Sequence, residues 1–286
     1  VYTGDPVAAL LYKNEAIEDL VAHPPASPAD LLDKKKENAK GLSVTAYNRE
    51  NLITTVASGA GGGKAGVAAT VSANVIATNT EAAIRRGAKI NEDNRGAGAD
   101  QQVRVKAVDE TLLIDTAAGA GGGGSAGVGA AANVAVVAKT TQAWIGRSAL
   151  VNANKAVELD AASADVTFST TAGFAGGGSA GVGGAVAGVG VADTTSAYVE
   201  DGTSAADAAK INVVAGDLAL NASDFATSWL LSGAGAGGGA AGVGGTLSAG
   251  VNAGTTKARI GDFAETNASG TTSVHADSVE NVNSIS

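Results

Sequence analysis

From residue 42 onward, apolar and polar residues alternate with a period of two, which marks strands whose two faces meet different surroundings. The clearest run puts Val128, Ala130, Ala132, Val134, Val136 and Ala138 on one face, with Asn133 and Lys139 on the other. Apolarity alone makes the valine face the expected interior. Val67, Val71 and Val75 repeat the arrangement, as do Val243, Leu247 and Val251. A third copy differs: Gly188, Val189, Gly190 and Val191 place valines on the opposite phase, which predicts a bulge or bend there. Shorter alternating runs, Val103 to Ala107, Val157 to Ala161 and Leu218 to Ala222, each start 25 residues before one of these valine strands.

The long runs are copies of one unit. Each follows a glycine cluster, at 61–63, 121–124, 176–178 and 237–239, and the marker valines Val67, Val128, Val182 and Val243 are spaced 61, 54 and 61 residues apart. Thirteen residues beyond each marker stands a threonine (Thr80, Thr141, Thr195, Thr256), and fifteen beyond an alanine (Ala82, Ala143, Ala197, Ala258). Seventeen beyond stand Ile84, Ile145, Val199 and Ile260, so this part of the unit is one rigid element. The polar stretches 91–100 and 202–209 absorb the length difference as outside loops. One such unit cannot bury its own faces, so the copies must stack. The expected architecture is all-β: a right-handed parallel β-helix, or β-solenoid, of four repeats of 54–61 residues, with two or three coils in each. A glycine-rich β-sandwich of long hairpins is the alternative.

Residues 1–41 differ in kind. All four prolines (Pro6, Pro24, Pro25, Pro28) lie here, and Gly4 is the only glycine before Gly41. Asp5-Pro6 and Ser27-Pro28-Ala29-Asp30 read as helix starts, Pro24-Pro25 as a stop, and Gly41 as a second stop. The segment is therefore expected to be a short helical pair, a cap or insertion ahead of a β-solenoid region spanning 42–286.

Composition narrows the classes. Aromatics are 3% of the chain, glycines number 41, and cysteine and methionine are absent, so the layers must be built from small side chains without disulfides or thiolate metal sites. A net charge of −9 argues against nucleic acid, and the one basic run, Lys34-Lys35-Lys36, sits among Asp30, Asp33 and Glu37 as a solvated helix face. No apolar run reaches the ~20 residues of a membrane-spanning helix, so membrane insertion is not expected. The chain starts at Val1 with no signal peptide, as expected of a processed or excised piece.

The unit 119–130, Gly-Ala-Gly-Gly-Gly-Gly-Ser-Ala-Gly-Val-Gly-Ala, followed by Asn133 to Val137 and Thr140 to Ile145, resembles the β-strand repeats of large bacterial surface exoproteins of the leukotoxin and filamentous-haemagglutinin-like type. The likeness covers about 42–286. It implies a right-handed parallel β-helix stalk, export by a type V or two-partner route, and a role in adhesion or the cell-surface layer.

Candidate chemistry is sparse. No Gly-Lys-Ser or Gly-Lys-Thr follows the glycine runs and Lys64 is isolated, so packing explains them better than a phosphate loop. Calcium-binding glycine repeats carry aspartate in each turn, and these turns carry none. His23 and His275 stand far apart in sequence, and no catalytic, cofactor or metal residue is assigned. Asp160, Asp165, Asp193, Glu200 and Asp201 are the carboxylates that a polysaccharide-cleaving β-helix would need, but aromatic platforms and basic groove residues are few. The threonine row reads as hydrogen-bonded stacking. Sixteen residues beyond each marker the outward positions are Ala83, Trp144, Tyr198 and Arg259, and Trp144, Tyr198 and Arg259 form the candidate partner-binding track. The expected function is a structural stalk segment of a secreted or cell-surface bacterial protein, acting in adhesion or self-association. Its partners would be a host or bacterial surface receptor or glycan, or further copies of the chain. A carbohydrate-active β-helix enzyme and an extracellular filament subunit are the alternatives.

Overall fold

The computed structural model describes residues 40–286, all of them in strands, turns or loops, so the helical pair expected over 1–41 falls almost wholly outside the described residues. Three parallel sheets run side by side. The first holds β1 (Gly41–Gly62), β4 (Gln102–Gly123), β7 (Ala156–Gly177), β10 (Asp217–Gly238) and β14 (Thr272–Ile285), in that spatial order. A second holds β2 (Ala65–Ile84), β5 (Ala126–Ile145), β8 (Ala180–Val199) and β11 (Ala241–Asn252), and β12 (Thr255–Ile260) continues along β8. The third is short: β3 (Lys89–Ile90), β6 (Leu150–Ala153), β9 (Lys210–Val213) and β13 (Glu265–Ala268). The chain visits the sheets in rotation, which makes a parallel β-helix.

Each repeat is a single coil, not the two or three expected from a 20-residue spacing. Marker valines pair directly as Val67↔Val128↔Val182↔Val243, so a full repeat separates neighbouring coils. The strands are simply long: 22 residues in the first sheet extend about 70 Å at about 3.3 Å per residue. The two length-absorbing loops fall at the short sheet, 91–101 after β3 and 200–209 before β9. At the corner entering that sheet the equivalent residues Gly87, Ser148 and Phe263 all take left-handed φ, of 71°, 58° and 62°.

The glycine clusters explain the cross-section. Long strands of the first and second sheets face one another across the two-residue turns 63–64, 124–125, 178–179 and 239–240. A Cβ on Gly119 would lie 2.0 Å from the Ala130 carbonyl oxygen, and one on Gly121 1.8 Å from that of Val128. Backbone thus rests on backbone at this edge, and nothing larger than hydrogen fits between the sheets. Away from the turns the sheets separate. At the far end all three sheets enclose a core of Val103, Val105, Leu159, Leu218, Leu220, Ile145, Val199, Val151 and Ile211. Ala143 and Ala197 belong to it as well, so the fixed alanine and isoleucine or valine of the repeat are its floor.

Two expectations are corrected by this geometry. The valine face of β5 points outward: Val134 and Val136 are exposed, whereas Asn133, Ala135, Val137, Lys139 and Thr141 face the interior. The gap between the two long sheets is too narrow near the turns for valine, so the smaller face, Gly127, Gly129 and Ala131, is the one that turns inward. No bulge or bend interrupts the third copy either, because β8 pairs with β5 residue for residue over its whole length. Val189 and Val191 are simply inner residues, in line with Ala135 and Val137.

Candidate functional site

The track foreseen on the outer face exists. Tyr198 pairs in register with Trp144 on one side and Arg259 on the other, and Ala83 completes the row. The rings of Trp144 and Tyr198 stack with centroids 6.0 Å apart and planes 5° from parallel, and the Arg259 guanidinium lies 5.5 Å from the Tyr198 ring centre. Both faces of Tyr198 are therefore occupied within the ladder. The face of Trp144 toward Ala83 has no ring or guanidinium neighbour in the row.

Charged groups at the corner hold the ladder's ends. Arg259 donates to Asp201 at 2.5 Å, and Asp201 also accepts from the Asp262 amide at 2.9 Å. Arg86 pairs with Glu200, which accepts in addition from the Arg147 amide at 3.1 Å. These donors, Arg86 foremost, pull the Glu200 carboxyl below its ordinary value, and Arg259 does the same for Asp201. Partial burial, and then the carboxylates Glu200 and Glu81, push the Tyr198 hydroxyl up.

A second constellation lies inside, where the sequence reading put the outer surface. Lys139 is fully buried between Asp109, 3.1 Å from its ammonium, and Asp165, at 2.9 Å. Its nitrogen also donates to the carbonyl oxygen of Asp109 at 3.2 Å. Asp193, Asp224 and Glu50 also feel this ammonium, beyond the two aspartates it pairs with directly. Burial pushes the Asp193 carboxyl up to about 9, helped by its hydrogen bond with Asp165, and burial pushes Asp224 up to about 6. For Lys139 burial acts downward, yet Asp165 and Asp109 outweigh it and its value is raised. The threonines of the repeat lie in register coil to coil, but the hydrogen bonds that Thr80 and Thr195 make go to this seam, and the buried hydroxyls of Thr141 and Thr256 have no hydrogen-bond partner among the described residues. Thr80 donates to Asp109 at 2.8 Å and Thr195 to Asp224 at 3.3 Å, across the gap between sheets.

The seam was legible in principle. Threonine, alanine and isoleucine or valine stand thirteen, fifteen and seventeen residues past each marker, and parity places the eleventh position, Lys139 or Asp193, on the same inner face. A further row went unnoticed: Asn91, Asn152 and Asn212 hydrogen-bond coil to coil at the short sheet, with Asn212 donating to the Asn152 side chain at 2.9 Å.

The five carboxylates considered for catalysis do not converge. Asp165 and Asp193 are inside, Asp160 sits on the outer face of β7 accepting from Asn221 at 2.8 Å, and Glu200 and Asp201 are tied to arginines at the corner. Among the described residues no group of three or more His, Cys, Asp or Glu is arranged to hold a metal ion, and His275 is exposed on β14. No helix among them is long and apolar enough to cross a membrane. No known protein family matches the chain, and neither does any curated protein or solved structure. The fold therefore defines the class, a parallel β-helix repeat protein, and any narrower reading rests on the chain's own surfaces.

Proposed function

We propose that this chain is a non-enzymatic structural segment of a secreted or cell-surface bacterial protein, acting in adhesion or self-association through its broad faces. The observation that carries this reading is the length of the coil. One repeat of 54 or 61 residues raises the stack by a single strand spacing, about 4.8 Å, although a coil of some 20 residues would rise as far. A stalk built this way gains little reach, and what the extra residues supply is area: two sheets with strands about 70 Å long. The Trp144–Tyr198–Arg259 ladder at the border of one sheet supplies the residue types that concentrate binding energy, and a surface glycan or receptor is the partner it suits.

Beads coated with the full chain should attach to bacterial or host cells, or to one another, more than beads coated with heat-denatured chain. Attachment to cells should weaken with Trp144→Ala. Release of new sugar ends from a panel of acidic polysaccharides, lost in Asp201→Asn, would replace this reading with the enzyme one.

A further inference from the structure

We propose that the outer face of the β2–β5–β8–β11 sheet is a docking surface for a second copy of this chain. Every outward position along 65–77, 126–138, 180–192 and 241–251 is Ala, Val, Gly or Leu, without a single polar side chain. The larger of these are open to solvent, with Val71 72%, Val75 75% and Val251 62% exposed. Monomeric proteins rarely leave so continuous an apolar area uncovered. Here it is the face that the narrow glycine-lined gap excluded from the interior, so its apolar character serves nothing inside the coil.

The size and relief of the face select the occupant. Four strands about 4.8 Å apart and some forty ångströms of strand give a footprint near 750 Å², about what each partner contributes to a stable protein pair. The row Val67, Val128, Val182 and Val243 forms an unbroken ridge beside a furrow of Ala69, Ala130, Gly184 and Gly245, and a second ridge of Val71, Val186 and Leu247 follows, notched at Ala132. A two-fold-related copy brings an identical set of ridges to these furrows, and rigid sheets pack dry in this way at about 10 Å. Fluid hydrocarbon has no use for a fixed relief, and a net charge of −9 disfavours approach to an anionic lipid surface. The opposite outer face, on the first sheet, fits less well. It carries the Arg104–Glu158 pair, Asp160 bonded to Asn221, and a threonine row.

The proposal rests on the self-association half of the reading above, and its test separates the two. Sedimentation equilibrium of the full chain at micromolar concentration should show a dimer. The double variant Val71→Lys, Val186→Lys should raise the dissociation constant at least tenfold while the far-ultraviolet circular dichroism stays unchanged. The chain has no cysteine, so a single Ala132→Cys near the middle of the face should cross-link into dimers with a short bismaleimide, and Thr170→Cys on the opposite face should not. Cross-linking is also the readout that stands if the lysine variant fails to fold. A chain that stays monomeric at high micromolar concentration would overturn the proposal, as would cross-linking of the Thr170→Cys variant alone. Monomers that float with lipid vesicles would assign the face to a membrane instead. Coated beads that still adhere while the chain is monomeric would leave adhesion standing and remove this surface.

Discussion

At Gly121 the difference between hydrogen and methyl is a difference between sheets in contact and sheets forced apart. Its Cβ would lie 1.8 Å from the Val128 carbonyl oxygen, which belongs to rigid backbone on the facing sheet and has no rotamer by which to escape. Its neighbour Gly122 points outward, and a Cβ there meets nothing within 4 Å. The two glycines are adjacent, equally flexible in the unfolded chain and alike in composition, so they isolate the effect of facing. Gly121→Ala is expected to lower stability by about 1–3 kcal/mol or more, as overpacking does. Gly122→Ala should be neutral or stabilising by about half a kcal/mol, through the lower entropy of the unfolded chain. Urea unfolding of the two variants checks this, and equal effects would mean that the glycines serve the turn and not the gap.

Between two facing strands, the same narrow space sets the chemistry of the seam. Asp193 and Asp224 hold their protons in the folded chain above about 3.9, the pH at which an unfolded aspartate releases them. The folded state then binds more protons than the unfolded one, so stability falls as pH rises from about 4, through about 6 for Asp224 and on to about 9 for Asp193. Lys139, with its raised value, stays charged through that window and keeps its pairs with Asp109 and Asp165. The urea midpoint should therefore be higher at pH 5 than at pH 8, and Asp193→Asn should remove most of the slope. A midpoint that rises with pH would show that these carboxyl groups ionise without penalty. This seam marks where the sequence reading stopped. Spacing between repeats was enough to identify strands, stacking and the Trp144–Tyr198–Arg259 row, because coil register transmits sequence period directly into space. Facing was lost because hydrophobicity normally points inward, whereas here the gap near the turns admits only Gly, Ala and small polar residues, and Val137, Val189 and Leu113 fit inside only where the sheets separate. Coil number was lost because nothing in a period of two says how long a strand runs before it turns.

For the whole molecule, one coil per repeat makes whole coils the units that can be exchanged. Ala241 pairs with Ala180, and Thr272 with Leu218, so removing residues 180–240 joins Ser179 to Ala241 at an equivalent point of the coil. β11 would then take the place of β8 against β5, and β14 that of β10 against β7. A stack of this kind is close to a sum of coil and interface contributions, so the shortened chain should keep its strand signal per residue and lose overall stability. The excised coil carries Asp193 and Asp224 and leaves Lys139 with Asp109 and Asp165. Most of the decline in stability between pH 5 and pH 8 should go with it, leaving the smaller part due to Glu50, whose carboxyl burial also raises, and a general loss of stability would not produce this. Removing only 180–209 takes away β8 but leaves β9 and β10 with no strand to complete their coil, and that chain should lose its β signal. If both deletions fold equally well, the coil is not the cooperative unit. If the shortened chain keeps its pH slope, the buried charge responsible lies outside this seam.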